Sequence, residues 1–136
     1  MSPAPFSSIP FRLDMQSGVP VYRQIMDQIH GAIAAGALRA GDQLPTVRQL
    51  SVDLSVNPNT VVRAYRELEI RGVLTTQQGI GTFISSKTVA PDEAERQRKL
   101  TQMVGELMAK AGAAGYTAEE VATRFLEFMS EQRRKP

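Results

Sequence analysis

Residues 44–84 decide the fold: LPTVRQLSVDLSVNPNTVVRAYRELEIRGVLTTQQGIGTFI. Near its start, Thr46 stands three residues before Gln49, and this capping-box spacing predicts a helix that begins at Val47. Apolar residues then recur at helical spacing as far as Leu54, so the helix has one apolar stripe. The stretch therefore opens on a short amphipathic helix.

A second helix is predicted after a short break. Asn57 is a favourable N-cap, and Pro58 is tolerated at the first helical position because its missing N–H has no partner there. The helix has two faces: Val61, Ala64, Tyr65 and Leu68 form the apolar face, and Asn59, Arg63 and Arg66 form the polar face. One face packs, and the other is free to contact a partner.

A β-hairpin is predicted after this helix. Gly72 suits a helix C-terminus, and residues 73–76 are rich in the β-branched types that favour strands. Residues 77–81 are predicted as the loop and residues 82–84 as the return strand. Two short helices followed by a hairpin make a winged helix-turn-helix, whose second helix can enter a major groove.

The polar face of the second helix suits base recognition, although a merely solvated face is the ordinary alternative. Asn offers a donor and an acceptor to adenine, and Arg offers a fork to guanine or phosphate. Two amphipathic helices alone would favour the solvated face. The hairpin that follows makes base recognition the favoured interpretation, because two short helices followed by a hairpin are specific to the winged helix-turn-helix. The G-x-G of the loop is no nucleotide-binding fingerprint, since the required helix and third glycine are missing.

These motifs resemble the winged-helix domain of the GntR family of bacterial transcription regulators. The resemblance covers about residues 19–86 and rests on LPTVRQL, VNPNTVVRAYRELE and QQGIGTFI in that order. The second motif and the short tail further resemble the small YtrA-type branch. The resemblance implies that DNA is contacted by the Arg of L-P-x-x-R, by the start of the second helix and by the wing tip. On this chain those positions are Arg48, Asn57, Asn59, Thr60, Gln78 and Gly79.

Together with the helix face, this gives the predicted DNA contacts: Thr46, Arg48, Asn57, Asn59, Thr60, Arg63, Arg66, Gln78 and Gly79. The chain departs from the family pattern at the second helix. Many members have Ser or Thr followed by Arg before this helix and another Arg after T-V, whereas here Asn57-Pro58 and Val62 stand there and the arginine is Arg63. The base preference of better-known relatives is therefore not transferred.

The N-terminal region is predicted to brace this domain. Residues 1–10 contain three prolines and no charge, which predicts a flexible arm. Residues 21–35 predict a long amphipathic helix, because its apolar positions recur at helical spacing: Tyr22, Ile25, Met26, Ile29 and Ile33. The DNA-binding domain is assigned to residues 11–86.

The tail is predicted to dimerise the chain. Residues 87–99 are assigned as linker and helix start, and residues 100–136 as a dimerisation region. The apolar positions predicted to bury there are Leu100, Met103, Val104, Leu107, Met108, Val121, Phe125, Phe128 and Met129. Two such helices form too thin a core alone, which favours burial against a second copy. A small-molecule effector pocket on the methionine-rich stripe is the alternative, but methionine at helical spacing is more often core.

Composition excludes several classes of function. The chain has 136 residues, no cysteine and one histidine, so neither disulfides nor a metal site is predicted. Neither a Ser-His or Cys-His arrangement nor a P-loop is present, so we expect no enzyme activity and no cofactor. No stretch approaches the roughly 20 apolar residues of a membrane span, and a cytoplasmic, nucleoid-bound bacterial protein is predicted. The net charge is only +2, so DNA affinity has to come from clustered arginines and from dimerisation.

The sequence therefore predicts a mainly α protein with a small β-hairpin: a winged helix-turn-helix domain plus a short C-terminal α-helical hairpin. It predicts a homodimer that binds a pseudo-palindromic operator, with helix 58–70 in the major groove and the wing 74–84 on the adjacent backbone or minor groove. Repression is favoured, because a short protein bound across a promoter needs no surface for polymerase. The rival is a winged-helix protein-interaction module, which salt titration distinguishes from a DNA-binding protein.

Overall fold

The computed structural model describes residues 9–86 and 92–133. Five helices and one hairpin lie in these ranges: α1 (Val21–Ala34), α2 (Val47–Leu54), α3 (Pro58–Ile70), β1 (Leu74–Gln77), β2 (Gly81–Ile84), α4 (Glu93–Ala113) and α5 (Ala118–Arg133). The part of the predicted arm that spans residues 1–8, and the linker segment 87–91, lie outside the described residues. The mainly α fold with one small hairpin is confirmed.

The caps of α2 and α3 are formed as the sequence predicted. Thr46 Oγ1 accepts a hydrogen bond from the Gln49 N–H at 3.0 Å, and Gln49 Oε1 accepts one from the Thr46 N–H at 2.9 Å. Asn57 Oδ1 accepts a hydrogen bond from the Asn59 N–H at 2.8 Å. Between the helices, Ser55 adopts a left-handed conformation with φ of 55°. These local interactions fix the tight corner of the helix-turn-helix.

One apolar core joins α1, α2, α3 and the wing. On α3 the buried residues are the four that the periodicity predicted: Val61, Ala64, Tyr65 and Leu68. The Tyr65 hydroxyl donates a hydrogen bond to the Pro45 carbonyl oxygen at 2.7 Å, which ties α3 to the start of α2. Desolvation by burial raises the pKa of Tyr65 above its ordinary value, so the phenol remains a donor. The opposite face of α3 consequently points away from the core.

The wing is an antiparallel pair whose strands reach closer to the turn than predicted. Leu74 pairs with Ile84, and Gln77 pairs with Gly81. The sequence placed Gln77 and Gly81 in the loop, but the ladder extends to both of them and leaves only residues 78–80 as the turn. The physical reason is that a tight turn allows the hydrogen-bonded pairing of the two strands to continue up to the residues that flank the turn.

The segment before α2 lies along β2 and fixes the wing to the core. The Leu44 N–H donates to the Thr82 carbonyl at 2.9 Å, and the Ile84 N–H donates to the Asp42 carbonyl at 2.8 Å. Leu44 is buried in the same core as α3. The wing is therefore held by a third extended segment as well as by its own two strands.

The described chain ahead of α1, residues 9–20, has no regular secondary structure and is held by glutamine side chains. Gln28 bonds to both backbone groups of Arg12, at 2.8 Å and 2.7 Å, and Gln24 bonds to the backbone of Asp14 in the same manner. Ile9 already packs against the core. The packed region thus reaches into the stretch 1–10 that was predicted as an arm.

The described residues 92–131 form a second compact unit. α4 begins at Glu93, ahead of Leu100, and Asp92 caps it by accepting a hydrogen bond from the Ala94 N–H at 3.0 Å. A capping box opens α5: Thr117 Oγ1 accepts a hydrogen bond from the Glu120 N–H at 3.2 Å, and Glu120 Oε1 accepts one from the Thr117 N–H at 2.9 Å.

α4 and α5 are the two helices of the C-terminal helical hairpin that the sequence predicted. They do not pack along their lengths, and no residue of α4, which is described throughout, is buried. Their apolar side chains remain too exposed to form a core between the two helices. Among the described residues, no helix is long and apolar enough to cross a bilayer.

Candidate nucleic-acid interface

The outward face of α3 presents the polar residues that the sequence predicted. Asn57, Asn59, Arg63 and Arg66 are exposed, and Thr60 is half-buried. The side-chain oxygen of Asn57 is occupied by the helix cap, so only its NH₂ group is left to donate to DNA. The side chain of Asn59 keeps both its donor and its acceptor, because no described residue bonds to them. Asn59 is therefore the better suited of the two to a bidentate base contact.

The arginines near this face have no acidic partner among the described residues. The four ion pairs within the described residues join Arg23 to Asp27, Arg96 to Glu93, Arg98 to Glu95 and Arg124 to Glu127. Arg48 on α2, and Arg63 and Arg66 on α3, take part in none of them, and all three are exposed. Their guanidinium N–H groups are consequently available to an anionic partner.

One of these arginines is held in place by an aromatic ring. The guanidinium carbon of Arg63 lies 3.9 Å from the centroid of the Tyr22 ring. This distance is well within the range of a cation–π interaction. The sequence predicted Tyr22 only as a member of the apolar stripe of α1. The structure shows that Tyr22 also contacts a side chain of the outward face of α3, which the helical periodicity did not indicate.

The tip of the wing is exposed and is supported from outside the hairpin. Gln78 and Gly79, both predicted DNA contacts, are exposed, as is Ile80 between the two wing glycines. The side-chain amide of Gln43 donates a hydrogen bond to the Ile80 carbonyl at 3.1 Å. Gln43 lies 37 residues ahead of Ile80, and no spacing pattern in the sequence links it to the wing.

Thr46 is placed at the start of α2, where its main role is structural. Its hydroxyl oxygen and its backbone N–H are both engaged in the capping box with Gln49. The hydroxyl hydrogen of this exposed residue is the group that is left for a phosphate. Arg48, two residues later, takes no part in this capping box.

Substituting Gly81 by alanine is expected to destabilise the winged-helix unit by about 1–3 kcal/mol, the range for a residue in a disfavoured backbone region. Gly81 has a φ of 150°, and a Cβ built there collides with the side-chain amide of Gln43. The loss is measured by urea unfolding. In a Gln43→Ala background the collision is absent, so the same substitution should be less destabilising. An equal loss in both backgrounds would contradict the role assigned to the Gln43 contact.

The predicted dimerisation residues lie on exposed or half-buried surface in the single chain. Leu100, Met103, Val104, Leu107, Phe125 and Phe128 are exposed, and Met108, Val121 and Met129 are half-buried. An open groove of about 670 Å³ lies where the end of α4 meets α5, and it is lined mainly by Leu107, Tyr116, Val121, Phe125 and Phe128. Apolar surface of this extent is unusual on a chain that has no partner.

Comparison with known proteins agrees with this geometry. Residues 21–84 match the family described as "Bacterial regulatory proteins, gntR family". The chain is 42% identical over 107 residues to the uncharacterized HTH-type transcriptional regulator YhcF of Bacillus subtilis (strain 168), a match that covers 78% of this chain and 87% of YhcF. It is 34% identical over 110 residues to the HTH-type transcriptional repressor YtrA of the same organism, covering 81% of this chain and 85% of YtrA.

A solved structure has a similar fold over most of the chain. It is YtrA from Sulfolobus acidocaldarius, a GntR-family transcription factor, which superposes with a TM-score of 0.56 at 32% identity and covers 73% of this chain and 97% of that one. The relatives are transcriptional regulators and not enzymes, as the sequence predicted. With a winged helix-turn-helix and relatives of matching length, this chain belongs to the GntR family of bacterial regulatory proteins and is a DNA-binding transcriptional regulator.

Proposed function

We propose that this protein is a repressor that binds a pseudo-palindromic operator as a homodimer. The observation that carries the proposal is the group of exposed arginines on α2 and α3, Arg48, Arg63 and Arg66, which have no acidic partner among the described residues. An unpaired group of this kind attracts a polyanion even though the net charge of the chain is small. The bacterial cytoplasm, where operator DNA lies, is the corresponding location.

The residues divide into base-reading and backbone-holding groups. Asn59 and Arg63 lie in the first half of α3, the part of a recognition helix that contacts base edges. Asn pairs best with adenine and Arg with guanine, so each is assigned one base pair per half-site. Arg48, Arg66 and the wing tip are assigned to phosphate, or to the minor groove in the case of the wing. Phosphate contacts position the protein, and base contacts make it specific.

The exposed apolar side chains of the second unit support a homodimer. Leu107 is 49% exposed and Phe125 is 56% exposed in the single chain. Covering these side chains with the same surface of a second copy removes both from water and gives a two-fold axis. A two-fold dimer carries two recognition helices, which is what a pseudo-palindromic operator requires. A small-molecule effector in the groove is the competing occupant of the same surface.

Repression, as opposed to activation, is proposed from the small size of the chain and from its relatives. YtrA of Bacillus subtilis, which matches 81% of this chain, is itself described as a repressor. A reporter gene placed behind the selected operator should be expressed less when the protein is present. Increased expression would make the protein an activator.

The operator itself is found by selecting bound sequences from a random double-stranded DNA library. We expect a pseudo-palindromic consensus with half-sites about 10 base pairs apart, or a multiple of that spacing. Affinity for it should fall steeply with salt, because bound phosphates release counterions. No enrichment at all, or binding to a protein partner that ignores salt, would favour the alternative of a protein-interaction module.

Substituting Arg48 by glutamine is expected to lower the slope of log affinity against log salt by about two, one phosphate contact for each half-site. The loss should be similar for the operator and for unrelated DNA, since phosphate carries no sequence. Fluorescence anisotropy at several salt concentrations measures it. Arg23→Gln is the matched control, because Arg23 is exposed but already paired with Asp27, 3.9 Å away. An unchanged slope would remove Arg48 from the interface.

A further inference from the structure

Tyr22 and Arg63 form a contact between α1, which supports the helix-turn-helix, and α3, which carries its outward face. Tyr22 lies in the first turn of α1 and is half-buried, and it packs against the apolar core. Arg63 lies on α3 and is exposed, with its guanidinium carbon 3.9 Å from the Tyr22 ring centroid. The ring is therefore anchored in the fold, while the cation that rests on it faces solvent.

This contact restrains Arg63 without using its hydrogen-bond donors. A guanidinium group attracted to a ring face interacts through its π surface, so its N–H groups stay free to donate. No carboxylate or carbonyl among the described residues accepts a hydrogen bond from Arg63. An arginine on a bare helix face would have to be ordered when DNA binds, whereas this one is already partly ordered. Restricting a long side chain in advance lowers the entropy lost on binding.

We infer that Tyr22 is a positioning residue for DNA recognition, which holds the guanidinium of Arg63 ready for a base or a phosphate. The inference rests on the proposed function, because it requires that α3 faces DNA. It assigns a part in specificity to α1, a helix that otherwise only supports the helix-turn-helix. Tyr22 acts through Arg63 and does not itself contact DNA.

The opposite effect is also physically conceivable and makes the inference testable. If Arg63 has to leave the ring to reach DNA, the contact competes with binding, and removing the ring would tighten the complex. If Arg63 reaches DNA while it stays on the ring, removing the ring weakens the complex. The sign of the change in affinity therefore shows whether the ring contact competes with DNA binding or positions Arg63 for it.

The experiment compares four full-length variants on the selected operator: Tyr22→Leu, Tyr22→Phe, Arg63→Ala and the double variant Tyr22→Leu with Arg63→Ala. Tyr22→Leu should lower affinity by a factor of about two to ten for each half-site, the size of an ordering loss for one long side chain. Tyr22→Phe keeps a ring face and should bind like the wild type. In the Arg63→Ala background, Tyr22→Leu should have no further effect, because it no longer has a cation to hold.

A purely structural role of Tyr22 gives a different pattern. It would weaken binding equally in both Arg63 backgrounds, and the lost affinity would follow the lost thermal stability of each variant. Base selection adds a second distinction, since Tyr22→Leu should relax preference only at the base pair that Arg63→Ala also relaxes. Equal effects in both backgrounds, or tighter binding by Tyr22→Leu, would overturn the inference.

A measurement on the wild-type chain covers the case in which Tyr22→Leu does not fold. Protons of the Arg63 side chain that lie over the ring should resonate upfield in NMR spectra. The shift should persist in the operator complex, and its disappearance on binding would overturn the inference. If wild type shows no sequence-specific binding at all, the proposed function fails first. If wild type binds and Arg63→Ala weakens it while Tyr22→Leu does not, only the positioning role fails.

Discussion

Replacing Leu107 by glutamate is expected to convert a dimer into monomers and to lower operator affinity by at least about a hundredfold. Leu107 is 49% exposed on the single chain, so a charge there is tolerated by the isolated protomer. The same charge buried against a second copy would be strongly unfavourable. A monomer then binds one half-site only and loses the gain from linking two, which is about 10²–10⁴.

Sedimentation and DNA titration measure these two effects on one sample. The matched control is Gln102→Glu, which adds the same charge on the side of α4 opposite the apolar stripe and is also exposed. It should leave both mass and affinity unchanged. A Leu107→Glu chain that remains dimeric would move the interface away from α4. A monomer that still binds the whole operator as tightly as wild type would contradict the requirement for a dimer.

Truncating the outward face of α3 is expected to have a comparable effect on affinity. Asn59→Ala and Arg63→Ala each remove a contact that discriminates bases by about 1–3 kcal/mol. A homodimer carries each substitution twice, so binding to the whole operator should weaken by about 2–6 kcal/mol, or roughly thirtyfold to twenty-thousandfold in affinity. Binding to unrelated DNA should change much less, because it depends on phosphate contacts.

The readout is the ratio of operator affinity to non-specific affinity, measured by anisotropy at one fixed salt concentration. Each substitution should also change preference at a single base pair of each half-site when the selection is repeated. Arg23→Ala, which removes a paired arginine from α1, serves as the control for lost charge. If both α3 variants select the wild-type operator with wild-type affinity, the recognition face has been assigned to the wrong side chains.

The two sets of predictions depend on different parts of the chain. Variants of α3 should stay dimeric and lose base discrimination, whereas Leu107→Glu should keep the same consensus half-site at lower affinity. The Gly81→Ala variant is expected to differ from both, since it acts first on stability, through the disfavoured backbone conformation at position 81 and the collision with Gln43. Measuring mass, stability and base preference on every variant therefore separates folding, assembly and recognition.

The sequence by itself determined the elements of the winged helix. The capping pairs Thr46–Gln49 and Asn57–Asn59 lie within three residues of each other, so they follow from local geometry alone and fix where α2 and α3 begin. The apolar spacing of α3 likewise fixed which face is buried, because a helix places residues three and four apart on one side. The exposure of Asn59, Arg63 and Arg66 follows directly from that burial.

Only the tertiary structure decided which distant residues support that face. The stacking of Arg63 on Tyr22, the bond from Gln43 to the wing tip and the bond from Tyr65 to Pro45 all join different segments. The structure likewise shows that the apolar stripes of α4 and α5 do not cover each other; periodicity indicates that such stripes are buried but does not specify the surface that buries them. Periodicity fixes the direction of a side chain about its own helix axis, whereas these contacts depend on how separate elements pack together.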